Sequence, residues 1–85
     1  MPEVVILIEY VERAMNKAKY EELPEDRTYF GRVPGLRGVW ANERTLESCR
    51  DRLAEAVEDW VLFRIANGMK VPKIGGLTVR AKRAS

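Results

Sequence analysis

The apolar positions change their period along the chain, and each change marks an element. Val4, Leu7, Ile8, Val11, Ala14 and Met15 recur at steps of three and four, while Glu9, Glu12 and Arg13 face elsewhere. This spacing predicts a short helix over about residues 3–16. Pro2 suits its first turn through a fixed φ, and Glu3 through the helix dipole. The β-branched run over residues 4–8 is also compatible with a buried strand, but the helix fits the period better. Val5 and Ile6 lie off the main stripe and widen the apolar girdle, a pattern that predicts burial on two sides, one of them against another subunit.

The period then drops to two. Ala18, Tyr20 and Glu22 alternate with Lys19, Glu21 and Leu23, the turn signal Pro24-Glu25-Asp26 follows, and "RTYFGRV" supplies β-branched and aromatic residues up to Pro34. The expectation is a two-stranded hairpin. "GVWAN", residues 38–42, follows the Pro34-Gly35 turn as a third strand. Gly31 inside the second strand points to a bulge or to a close approach of backbone.

Helical period returns at Thr45, an N-cap residue, with Glu47 in the first turn. Ser48 stands where a Glu or Gln would complete a capping box. Leu46, Cys49, Leu53, Ala56, Val57, Trp60 and Phe63 mark one face; Arg50, Asp51, Arg52, Glu55, Glu58 and Asp59 mark the other. Gly68 stands where a C′ residue belongs. A helix of about 23 residues would be roughly 34 Å long, enough to cross a small sheet. After "VPKIGG", the segment "LTVRAK" alternates as a fourth strand at the sheet edge, with Arg80 and Lys82 as charges that discourage edge pairing. The predicted fold is α+β: a short helix, a three-stranded antiparallel meander, one long helix and a C-terminal edge strand.

Composition narrows the classes. At 85 residues, 46% apolar and 33% charged, the chain reads as one folded domain, residues 1–16 a helix, 17–80 a core and 81–85 a basic tail. Small domains lean on disulfides, metals or self-association. One cysteine and no histidine leave no intramolecular disulfide and none of the common zinc arrangements, so no metal or other cofactor is expected and self-association is. The apolar run over residues 4–8 is too short for a signal or a membrane span, and the cysteine usage fits the cytoplasm.

Charge is uneven. Residues 1–68 carry ten basic and all 13 acidic side chains, a net −3, whereas Lys70, Lys73, Arg80, Lys82 and Arg83 have no acid among them. Such a block suits phosphate or an acidic protein surface, or is a solvated terminus. Trp40 and Tyr29 read either as stacking platforms for single-stranded nucleic acid or as aromatics packed between sheet and helix; burial favours the second for Trp40 and Trp60. Nucleophilic catalysis lacks its usual histidine base, and Cys49 on an apolar face reads as a small buried hydrophobe. Glu55, Glu58 and Asp59, interleaved with Arg50, Arg52 and Arg64, read as an ion-paired helix face. Gly75-Gly76 follows no predicted strand and opens no helix, so it lacks the context of a phosphate loop. No enzymatic activity is expected.

Pro34-Gly35-Leu36-Arg37-Gly38, a short strand, Thr45-Leu46-Glu47 and a helix reaching Ala56 and Trp60 resemble the HicB antitoxin-like family over residues 17–80. The match lies in a P-x-L-x-G turn, a T-x-E helix start and the small and aromatic positions of that helix. The resemblance implies a β-β-β-α-β domain that forms dimers or tetramers and occludes HicA, a small mRNA-cleaving toxin. It assigns Pro34, Leu36, Gly38, Thr45 and Trp60 to the fold. Many members carry a DNA-binding domain in addition; only "AKRAS" follows Arg80 here, so none is expected in this chain.

The functional expectation is a non-catalytic module that self-associates through Val4, Leu7, Ile8 and Val11 and meets a HicA-type toxin with Glu55, Glu58 and Asp59. The acidic body complements a basic toxin and speeds encounter. The alternative is an oligomeric domain with weak nucleic-acid binding through Lys70, Lys73, Arg80, Lys82 and Arg83.

Overall fold

The computed structural model describes the backbone of residues 2–77 and the side chains of residues 7–77. Its elements run α1 (Pro2–Asn16), β1 (Lys19–Leu23), β2 (Thr28–Arg32), β3 (Trp40–Glu43) and α2 (Leu46–Ala66), an α+β fold. The strands form one antiparallel sheet in the order β1-β2-β3. Tyr20 pairs with Gly31, which pairs with Ala41, so these three share one face. Helix α2 packs on that face against β2 and β3, and α1 packs on α2.

Helix α2 is delimited by local chemistry. The Oγ1 of Thr45 accepts from the Ser48 backbone N–H at 3.0 Å, which is the N-cap half of a capping box; the Ser48 hydroxyl donates to the Thr45 carbonyl at 3.3 Å and so does not replace the carboxylate that would accept from the Thr45 N–H. At the other end Gly68, at φ 68°, donates to the Ile65 carbonyl, and Met69 donates to that of Arg64 at 2.8 Å. These two bonds make a Schellman closure. The helix has 21 residues, close to the expected length.

The face it buries is narrower than the periodicity predicted. Cys49, Leu53, Val57 and Val61, each one turn from the next, are fully buried; each of the aliphatic ones contributes roughly 1.5–3 kcal/mol by leaving water. Leu46 and Phe63, expected on that face, are exposed at 47% and 61%. Phe63 falls on the flank of that row, whereas Leu46 is in line with it and is exposed because it is the first residue of the helix.

The third strand starts at Trp40, two residues later than expected, because two successive turns occupy the residues before it. Leu36 N–H donates to the Val33 carbonyl around Pro34-Gly35, and Val39 N–H to the Leu36 carbonyl around Arg37-Gly38. Gly35 at φ 93° and Gly38 at φ 82° supply the positive φ that the third position of a type II turn needs. The double turn brings Val33, Leu36 and Val39, every third residue, into the core. Gly31 forms no bulge, since the β1–β2 register is unbroken; the close-approach expectation is the one realised.

Helix α1 buries Tyr10 and Ala14 completely, Tyr10 being a core residue the apolar spacing did not single out. The Tyr10 hydroxyl donates to the Pro72 carbonyl at 2.6 Å and Arg13 Nη1 to the Gly75 carbonyl at 2.8 Å. Ile74 and Leu77 exchange both backbone hydrogen bonds across Gly75 and Gly76, whose φ of 55° and 80° fit a type I′ turn. Of the predicted fourth strand, only Leu77 falls among the described residues, together with this bridge; residues 78–82 lie outside them. No described helix is long and apolar enough to cross a membrane.

Candidate functional site

Two surfaces are built from residues that the sequence marked as chemically interesting. The first lies between the helices. Leu7, Ile8 and Val11 of α1 and Ala54 of α2 line an open groove of about 230 Å³, joined by Glu12, Glu55 and Glu58. All three carboxylate-bearing residues are exposed, so the groove has an apolar floor and an acidic rim. Glu55 also lies 3.5 Å from Arg52, which stands 3.6 Å from Glu43, a surface chain of the kind worth little to stability.

The residues expected for self-association and those expected for toxin docking therefore share one groove: Leu7, Ile8 and Val11 meet Glu55 and Glu58. Asp59 is exposed on the same helix but does not line the groove. The Val4 side chain lies outside the described residues. Glu12 and Ala54 were not singled out in the sequence; Glu12 stands one turn beyond Ile8 on α1, a signal that becomes readable only once α2 is known to pack beside it.

The second surface is the sheet face turned away from α2. Strand alternation puts Phe30 and Arg32 of β2 on the same side as Trp40 of β3, Arg32 and Trp40 being paired. Phe30 and Trp40 stack with ring centroids 6.0 Å apart and planes 22° from parallel. Trp40, expected in the core, is 57% exposed, because α2 takes the opposite face. A cleft of about 320 Å³ opens beside the pair, walled by the double turn and by Arg32 and Arg37. Tyr29, the other suggested platform, instead packs against the core.

The remaining candidates are structural. Cys49 is fully buried with Sγ 3.4 Å from the Tyr29 carbonyl and 3.6 Å from that of Ala41. Burial pushes its thiol pKa up; a backbone hydrogen bond from Glu43 opposes this and the Glu43 charge adds to it. Such a thiol is a poor nucleophile. Burial likewise raises the Tyr10 phenol, with Arg64 opposing, and the Tyr20 phenol. Leu36 is buried and Thr45 caps α2, while Pro34 and Gly38 shape the double turn. Trp60 is half-buried under the Arg64 guanidinium at 4.8 Å, Arg64 Nε also donates to the Lys70 carbonyl at 2.6 Å, and among the described residues Arg64 joins no ion pair with the acidic face. Lys70 and Lys73 are exposed; Arg80, Lys82 and Arg83 lie outside the described residues. Among the described residues no three His, Cys, Asp or Glu side chains cluster to hold a metal.

The architecture defines a small α+β domain in which one long helix backs a three-stranded meander and a second helix backs the first. Residues 9–72 match the UPF0150-like family, and the chain belongs to it. The crystal structure of TTHA0281 from Thermus thermophilus is similar to it, with 36% sequence identity and a TM-score of 0.84 over 92% of this chain and 96% of that one. No curated protein matches the chain.

Proposed function

We propose that this domain is a HicB-like antitoxin module of a type II toxin–antitoxin system, without catalytic activity of its own, acting in the cytoplasm as a single domain over residues 1–85. In this reading it binds a HicA-type mRNA-cleaving toxin and keeps RNA from the toxin's active site. The observation that carries the proposal is the groove between α1 and α2, where the carboxylates of Glu12, Glu55 and Glu58 surround Leu7, Ile8, Val11 and Ala54. An enzyme that grips RNA presents cations to phosphate, and a surface with carboxylates around an apolar floor is complementary to it in charge and anchors it by burial. Membership of the UPF0150-like family and the motif resemblance point the same way.

The same groove serves self-association, as dimer or tetramer, when no toxin is bound, so that one occupant displaces the other. The test is an RNA-protection assay with the neighbouring toxin. At equimolar ratio the domain protects the RNA, and the triple variant E12K/E55K/E58K does not. Cleavage that proceeds unchanged in the presence of the unaltered domain sinks the reading.

A further inference from the structure

We propose that the open face of the sheet is a binding site for single-stranded nucleic acid, in which a base stacks on Trp40 and Arg32 and Arg37 hold the flanking phosphates. The site is separate from the groove between the helices and uses none of its residues.

Three observations converge on it. The indole of Trp40 is 57% exposed and braced by Phe30 at 6.0 Å, which fixes one aromatic plane at the surface and leaves ring area open to solvent. Bases of any identity stack on such a plane. Next, Arg32 and Arg37 are the charged residues that wall the cleft beside it; both are exposed, and neither joins an ion pair among the described residues. Lys19, paired with Arg32 across the β1–β2 ladder, adds a third cation to the same face, against the single carboxylate of Glu21 among the strand residues on that side. Finally, the polar groups at the far end of the face are engaged with each other, Asn42 Nδ2 donating to Thr28 Oγ1 at 3.0 Å and to the Tyr29 carbonyl at 3.1 Å. Little remains there to read base edges, so the site is expected to tolerate sequence.

Charge complementarity selects nucleic acid as the occupant: Arg32, Arg37 and Lys19 face outward with Glu21 as the one carboxylate among the strand residues on that side, and phosphate supplies the missing anions.

The experiment is fluorescence anisotropy with labelled twelve-nucleotide oligo(U) and oligo(dT), and a duplex of equal length, titrated with the full chain over a range of salt. Both single strands are expected to bind more tightly than the duplex, and a difference between them tells RNA from DNA as the preferred ligand. Trp40→Ala is expected to weaken binding by about tenfold or more, with Trp40→Phe recovering part of the loss. R32Q/R37Q is expected to flatten the slope of log affinity against log salt by about 1.4, two phosphates' worth on a single strand. The variant R80Q/K82Q/R83Q should retain the dependence on Trp40. Far-UV circular dichroism verifies that each variant is folded. Absence of binding, binding indifferent to Trp40 and to the two arginines, or a Trp40→Ala variant that changes the mass in solution while leaving nucleic-acid binding intact would each overturn the proposal; the last would make the face a contact between copies.

Discussion

Gly31 and Cys49 meet across the sheet–helix interface with no space left between them: a Cβ on Gly31 would stand 3.1 Å from the Cys49 sulfur and 3.0 Å from the Tyr20 ring. The glycine is therefore a spacing device, and its φ has no part in it. It sets how closely α2 lies on β2, and hence where both exposed surfaces sit.

Gly31→Ala is accordingly expected to lower stability by about 1–3 kcal/mol, the usual cost of overfilling a packed core. Chemical denaturation measures it. Because the strain is shared with the sulfur, Gly31→Ala combined with Cys49→Ala should cost less than the sum of the two single changes. Strict additivity would show that the helix does not feel the added methyl.

Two buried phenols predict opposite outcomes. The Tyr10 hydroxyl is bonded to the Pro72 carbonyl, so Tyr10→Phe should cost about 0.5–1.5 kcal/mol. The Tyr20 hydroxyl is buried without a hydrogen-bond partner among the described residues, so Tyr20→Phe removes a desolvated group with nothing to lose and should be neutral or stabilising. Thermal melts of the two variants side by side decide the matter, and the reverse order would refute it.

Alkaline pH should unfold the protein earlier than its surface chemistry suggests. Cys49, Tyr20 and Tyr10 all have pKa values raised by burial from ordinary values of 9.0 for the thiol and 10.0 for the phenols. Well below 9.0 all three are protonated in both states and their contribution is fully present. As pH climbs past those values the unfolded chain releases protons that the folded chain keeps, so stability falls with pH. Denaturant midpoints taken between pH 8 and about 11 should decline, and the onset attributable to the thiol should vanish in Cys49→Ala.

Ile8 lies in the groove at 53% exposure, so Ile8→Glu should change stability by no more than about 0.5 kcal/mol, as surface changes do. It should nonetheless shift sedimentation from oligomer towards monomer, by adding a fourth carboxylate to a rim that already has Glu12, Glu55 and Glu58. An unchanged mass would place self-association elsewhere.

Much of the fold could be read from short-range patterns, since its boundaries are set by local chemistry: Thr45 opens α2, Gly68 closes it, and Pro34-Gly35 turns the chain. What the pattern could not give was the width of each interface. The periodicity put Leu46 and Phe63 on the apolar face of α2 and passed over Val61, yet Val61 is the one buried with Cys49, Leu53 and Val57. Trp40 was misassigned for a related reason. Strand alternation tells which residues share a face but not which face the helix takes, and the Phe30–Trp40 stack depends on the β2–β3 register. The groove was half legible: its apolar and acidic residues were recognised separately, and their meeting required the α1–α2 packing.

Tyr10 and Arg13 reach partners 62 positions further along the chain. Contacts of such separation are slow to form, since loop closure must come first. The two bonds close a loop that holds all three strands and α2 between its ends, so α1 cannot leave α2 without giving up both carbonyls. The wall that α1 lends to the acidic groove is thus fastened from beyond α2, and a cut between α2 and Pro72 should loosen that wall while leaving the aromatic sheet face in place.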